Sequence, residues 1–235
     1  MNAIFDQKPL LKTGVFALLL LPCLILINSY SPPKEKIPEG YNSSILAFEF
    51  ASDADEIKEV LGPLTQEERD DLDRLNYVDF GFMLLYGVFL YLFVVQLSEL
   101  NGDEALSRIR WVVPVAVLAD VLENVQLLKL TELFPELGSQ AMLACTLLAV
   151  FTWIKWILLA LVFAFAGRSL MKMTPASKVA GLLLMFPILL AIATFITSQR
   201  MIEDLFATSV FGAFFIVFIY CLLYKRNLGP SIIAD

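Results

Sequence analysis

The sequence predicts an all-α, polytopic membrane helix bundle of about six transmembrane helices, carrying one acidic, helical extracytoplasmic loop. Three observations predict it. Hydrophobic residues make up 58% of the chain and charged residues 17%, against roughly half and a quarter in soluble domains. Stretches without Lys, Arg, Asp or Glu recur, each near the ~20 residues that a helix needs to cross the hydrocarbon core. The net charge of −7 is confined to one segment, 31–76, which holds twelve acidic and five basic residues, so the rest of the chain sums to zero.

In order, the spans are expected at 13–30, 78–97, 110–130, 140–166, 178–198 and 205–224, within a single domain covering 1–235. Lys8 and Lys12 precede the first apolar run as they would in a signal peptide, but no small-x-small cleavage site follows, so the run reads as an anchor. Loop 31–76 comes next and contains two helices. Ser43 or Ser44 can cap the first, which runs through "ILAFEFASDADEIKEVL" to Gly62 and Pro63. Thr65 and Glu68 make a capping box for the second, which continues towards span two. Ile45, Leu46, Phe48, Phe50, Ile57, Val60 and Leu61 are available to lay the first helix on the membrane or on the spans. Glu49 is then either an exposed carboxylate or one that dips toward a site.

Span two carries Asp79 at its outer mouth and Tyr86 seven residues on, about 10 Å deeper at ~1.5 Å per residue. Gly81 and Gly87 could let another helix approach. Span three is the anomaly. Its ten Val and Leu residues from 112 to 128 favour insertion by roughly 0.3–0.6 kcal/mol each, and each ionised acid costs about 2.5–3.5 kcal/mol. Asp120, Glu123, Asn124 and Gln126 therefore cancel the apolar gain, and neighbouring helices must supply partners. Asp120, Glu123 and Asn124 stand at i, i+3 and i+4 and share one face, which Leu127 extends. Span four offers Lys155 near its middle, too deep to reach water easily, so an ion pair with Asp120 or Glu123 is expected. Span five is closed by Arg200, and Glu203 and Asp204 stand with it at the outer end. Pro22, Pro114 and Pro187 are expected to make local bends.

Basic residues are retained in the cytoplasm. Lys8, Lys12, Arg108, Arg110, Arg168, Lys172, Lys178, Lys225 and Arg226 fall on one side. Lys129 and Arg200 are alone in the short loops of the other, so both termini are expected inside.

Several chemistries are excluded. The chain has no histidine, which removes Ser-His-Asp and Cys-His catalysis, zinc-protease motifs and His-ligated haem. Cys23, Cys145 and Cys221 lie within spans without metal spacing and read as apolar fillers, and no phosphate-binding glycine pattern occurs. No basic patch invites nucleic acid.

The order "FEFA", "YVDFGFMLLYG", "DVLENVQLL" and "KW", over roughly residues 45–160, resembles uncharacterised bacterial multi-pass integral membrane proteins. The resemblance implies a bacterial inner-membrane location and attaches no reaction. It groups Glu49, Asp79, Tyr86, Asp120, Glu123, Asn124 and Lys155 as one candidate set. Glu123, Asp120 and Lys155 are the candidate catalytic groups, and Asn124, Tyr86, Asp79 and Glu49 the candidate substrate contacts. No cofactor is required, although oxygen ligands would suit Mg²⁺ or Mn²⁺, for which Lys155 would compete. Three functions remain open: an acid–base site for a lipid-like substrate, a non-catalytic assembly protein binding a partner through loop 31–76, and a proton- or cation-coupled transporter. Trp111, Trp153 and Trp156 read as packing or interface residues rather than a ligand cage, and the acid–lysine group could equally be structural glue.

Overall fold

The computed structural model describes residues 7–134 and 136–226. These form an all-α bundle with six helical stretches long and apolar enough to cross a membrane, at Leu11–Tyr30, Gln66–Asn101, Glu104–Leu133, Ser139–Leu170, Pro175–Thr197 and Arg200–Leu223. Three of the stretches are divided. The first comprises α1 (Leu11–Ala17) and α2 (Leu20–Tyr30). The segment between the first and second stretches supplies α3 (Ser44–Glu49) and α4 (Ala54–Leu61), followed by the unbroken α5 (Gln66–Asn101). The third comprises α6 (Glu104–Ile109) and α7 (Val112–Leu133), and the fourth is α8 (Ser139–Leu170). The fifth comprises α9 (Pro175–Leu184) and α10 (Phe186–Thr197), and the sixth is α11 (Arg200–Leu223).

The three intramembrane prolines do more than bend. A proline ring clashes with the carbonyl four residues earlier and removes one N–H from the ladder. Pro22, Pro114 and Pro187 accordingly lie a few residues beyond the interruptions at Leu18–Leu19, Arg110–Trp111 and Met185.

The outer loop departs from the expected single helix up to Gly62. Asp53 turns the chain and caps α4, its side chain accepting from the N–H groups of Asp55 and Glu56. Thr65 and Glu68 form the expected capping box, and α5 runs from there through span two without a break. The apolar residues of α3 and α4 lie on the spans. Phe48, Ile57, Val60 and Leu61 pack with Leu72, Leu75, Leu127, Leu130 and Leu148 at the outer ends of α5, α7 and α8. Arg200 ties α4 down by pairing with Glu56 at 3.3 Å and Glu59 at 2.7 Å. This guanidinium holds the Glu59 carboxyl below its ordinary pKa. Tyr41 donates to Glu203, and Asn42 donates twice to Asp204, so the loop covers the end of the bundle at which α11 begins.

Close helix approach differs from expectation at one glycine. A Cβ on Gly87 would lie 2.6 Å from Val117 Cγ2, whereas one on Gly81 would meet nothing within 4 Å. Gly167 and Gly181 face each other across α8 and α9, where a Cβ on either would lie 2.5 Å from the other's carbonyl oxygen. Gln7 O accepts from Arg226 N at 2.8 Å, so the two ends of the described chain meet on one side of the bundle. Residues 1–6 and 227–235 lie outside the described residues.

Candidate functional site

The three acidic and amide residues of α7 face inward as their spacing requires. Glu123 is fully buried, and Asp120, Asn124 and Leu127 are buried with it. Opposite them α8 presents Thr152, Lys155 and Trp156, all buried and also spaced i, i+3, i+4. α5 contributes Asn76, Asp79 and Tyr86.

The fourth contributor comes from outside the spans. α3 is short enough to drop into the outer end of the bundle, where Phe48 and Phe50 enter separate hydrophobic clusters on either side of Glu49. Phe50 meets the rings of Trp153 and Trp156 at centroid distances of 5.6 and 6.4 Å. The Thr152 hydroxyl lies 2.9 Å from the Glu49 carbonyl, an acceptor that the helix end leaves free. Glu49 is thereby held only 7% exposed, which settles the choice between a surface carboxylate and one that dips inward.

Lys155 is the hub. Its Nζ donates to Glu49 Oε2 at 2.9 Å and lies 3.2 Å from Asp120 Oδ1 and 2.5 Å from Glu123 Oε2. The Glu123 contact is one of charge alone, because Oε2 receives no hydrogen bond of acceptable geometry. The expected pairing with Asp120 or Glu123 is therefore a pairing with both, plus Glu49. Trp156 Nε1 donates to Glu49 Oε2 at 3.2 Å, and Tyr86 donates its hydroxyl to Asp120 Oδ2. Asn124 and Asp79 make a second group beside it, Asn124 donating to Asp79 Oδ2 at 2.9 Å and to the Asn76 carbonyl at 3.2 Å. Five of the seven candidate residues thus belong to one network around Lys155, and Asp79 and Asn124 pair with each other alongside it.

Proton counting constrains this network. Three carboxyl groups, Glu49, Asp120 and Glu123, share one lysine and a fourth, Asp79, stands beside them, so full ionisation would leave a net −3 in a medium where unpaired charge is costly. Thr152 has one hydroxyl proton for two neighbours, the Glu49 carbonyl and Glu123 Oε1 at 2.7 Å. If the proton goes to the carbonyl, which can only accept, the Glu123 contact requires Glu123 to carry a proton. Among the described residues no group of three or more Asp, Glu or Cys side chains is placed to hold a metal ion. The Lys155 ammonium occupies the point where the carboxylates converge, so the geometry gives the Mg²⁺ or Mn²⁺ option no support.

Glu49 and Asp79 also form part of a cavity wall. A space of about 390 Å³ lies between the first span, α3, α5 and α11, lined by Asn28, Asn42, Glu49, Asp79 and Asp204 among others. It shares Leu24, Phe82 and Phe211 with an apolar slot of about 320 Å³ that Tyr86, Phe214 and Phe218 also line. Glu123, Asp120 and Lys155 stand behind this wall, outside both linings.

No protein-family profile, curated protein sequence or solved structure matches the chain. What can be said of its activity rests on this geometry.

The sequence singles out neither Thr152 nor Asn76, and gives Trp156 only a packing role. Thr152 and Trp156 were within reach, because their spacing around Lys155 repeats that of Asp120, Glu123 and Asn124. Asn76 had no such signal. Its side chain is fully buried, and neither polar atom has a hydrogen-bond partner. Trp111 is exposed against Tyr91 and Arg110, as expected of an interface residue.

Proposed function

We propose that this integral membrane protein binds a lipid-like molecule beside its buried carboxylate–lysine network and acts on it by acid–base chemistry. One observation carries the reading: the cavity brings Glu49 and Asp79 to its wall and continues into an apolar slot. Each space falls near the range of about 300–1,000 Å³ usual for small-ligand sites. Buried ionisable groups in a membrane are costly and mark functional sites more often than packing.

The roles follow from position. Glu49, held by Lys155, is suited to accept a proton from a bound molecule. Asp79, which accepts from Asn124, stands on the same wall and is suited to hold and orient that molecule. Asp120, Glu123 and Lys155 position Glu49 and balance its charge, and Tyr86 and Asn124 orient the carboxyls they bind. On this reading the molecule is a cell-membrane protein with loop 31–76 outside and both termini in the cytoplasm.

A structural role has one observation in its favour, since Lys155 ties its own α8 to two other helical elements at once, α3 through Glu49 and α7 through Asp120 and Glu123. Lipid retained by the protein separates the two readings. The purified protein, washed extensively in a mild detergent, is extracted and its lipids are compared by mass spectrometry with those of Glu49→Gln and Asp79→Asn. A stoichiometric species diminished in both variants is the expected result. If the same lipids are recovered from all three proteins, only as annular background, the proposal fails. Solute or proton flux in liposomes, abolished by the same changes, would instead indicate transport.

A further inference from the structure

The cavity beside the network is polar at one end and apolar at the other, and the two ends differ in charge as well. Glu49, Asp79 and Asp204 line the polar end, with Asn28 and Asn42, and no Lys or Arg contributes to its wall. The one buried cation among the described residues, Lys155, is behind Glu49 and already contacts three carboxylates. Asp204 is engaged by both N–H donors of Asn42.

Glu49 and Asp79 are differently placed. Lys155 and Trp156 both donate to Glu49 Oε2, and Oε1 accepts no hydrogen bond from a described residue. Asn124 donates to Asp79 Oδ2, and Oδ1 is likewise left over. Glu49 is more than nine-tenths buried, so its free oxygen has the cavity as its outlet. Two carboxyl oxygens with no hydrogen bond from a described residue thus stand on one wall of the cavity, one on the buried Glu49 and one on the half-buried Asp79, in a site already rich in carboxyls and open to a donor from a ligand.

The slot below supplies no polar group except Tyr86, whose hydroxyl is committed to Asp120. It lies where the first span is broken. α1 packs on α5 and α11, and α2 continues along α5. The lipid side of this span is exposed at Leu19, Leu21, Leu24 and Ile25. A chain from the surrounding bilayer can reach the slot past Leu24.

An anionic head would meet uncompensated carboxyls in this cavity. A hydroxyl head would supply a donor and leave the charge imbalance. An ammonium supplies several donors and a positive charge together. We propose that the site selects an amphiphile with a cationic amine head, which engages Glu49 Oε1 and Asp79 Oδ1, and a single apolar chain, which fills the slot lined by Phe82, Phe211 and Phe214. This names the ligand class for the lipid site proposed above and rests on that reading.

The test is equilibrium binding of radiolabelled dodecylamine, dodecanol and dodecyl phosphate to the full chain in phosphatidylcholine nanodiscs at neutral pH, with empty discs as background. Dodecylamine should bind saturably and at least about tenfold more tightly than dodecanol, the difference expected from one charge-assisted contact, with dodecyl phosphate weakest. Leu24→Trp, at a 42% exposed position outside the charged network, should fill the shared wall and abolish saturable binding. Asp79→Asn should weaken dodecylamine at least about fivefold and leave dodecanol unchanged. Glu49→Gln provides the same comparison should Asp79→Asn fail to fold. Equal binding of dodecanol or dodecyl phosphate, lost in Leu24→Trp, would overturn the charge selection and leave the lipid site standing. Saturable binding of none of the three would remove both. Dodecylamine binding that ignores every variant would place the amine elsewhere and overturn the inference.

Discussion

Replacing Lys155 with Met keeps the length of the side chain and removes the one cation that three carboxylates share. In the wild type these pairs lie at 2.5–3.2 Å, all with side chains at most 10% exposed. Breaking a buried pair by deleting one partner typically costs about 3–5 kcal/mol, because the remaining charge is uncompensated. For a chain of this size that corresponds to a fall in apparent Tm of about 6–20 °C, at ~2–4 °C per kcal/mol. Neutralising one acid is different. Glu49→Gln, Asp120→Asn or Glu123→Gln loses one contact to Lys155 and relieves repulsion with the other carboxyls, so each should cost less than about 1.5 kcal/mol. Thermal unfolding in detergent, followed by tryptophan fluorescence, measures all four variants. Adding Glu123→Gln to Lys155→Met should recover part of the loss, as expected of coupled neighbours. The shared-cation picture is refuted if one acid variant is as damaging as Lys155→Met and the other two are silent, since that describes a dedicated pair.

Gly87→Ala should destabilise by about 1–3 kcal/mol, because its Cβ would overlap Val117, whereas Gly81→Ala should be neutral or gain up to about 1 kcal/mol of helix propensity; parallel melting curves decide. Arg200→Ala should cost under about 1 kcal/mol globally, since the pair with Glu59 is partly exposed, and yet raise amide exchange in Ala54–Leu61, which it alone ties to α11 by ion pairs among the described residues. Unchanged exchange there would contradict that role for Arg200. Lys172 donates to Asp103 at 2.8 Å and holds this carboxyl below its ordinary pKa. A depressed folded-state pKa contributes stability above the unfolded value, about 3.9, and loses it as pH falls through the folded value. The stability gap between wild type and Asp103→Asn should therefore be level from neutral pH down to about 4 and close below it, and a gap that widens on acidification would reverse the assignment.

Local composition and spacing determined the span count, the inward face of Asp120, Glu123 and Asn124, the capping box at Thr65 and Glu68, and the need for Lys155 as a partner. Each is a consequence of periodicity or of the cost of charge in hydrocarbon, which neighbouring residues in the chain already express. Tertiary structure alone decided that Glu49 joins them, because its burial depends on where Phe48 and Phe50 find hydrophobic partners on helices about a hundred residues away. It alone split the expected loop helix at Asp53, left Gly81 without a close neighbour, and put Glu49 and Asp79 on the cavity wall with Glu123 behind it. A lone carboxylate between two phenylalanines reads the same on a surface helix as in a bundle. Only the packing of the other helices tells the two apart.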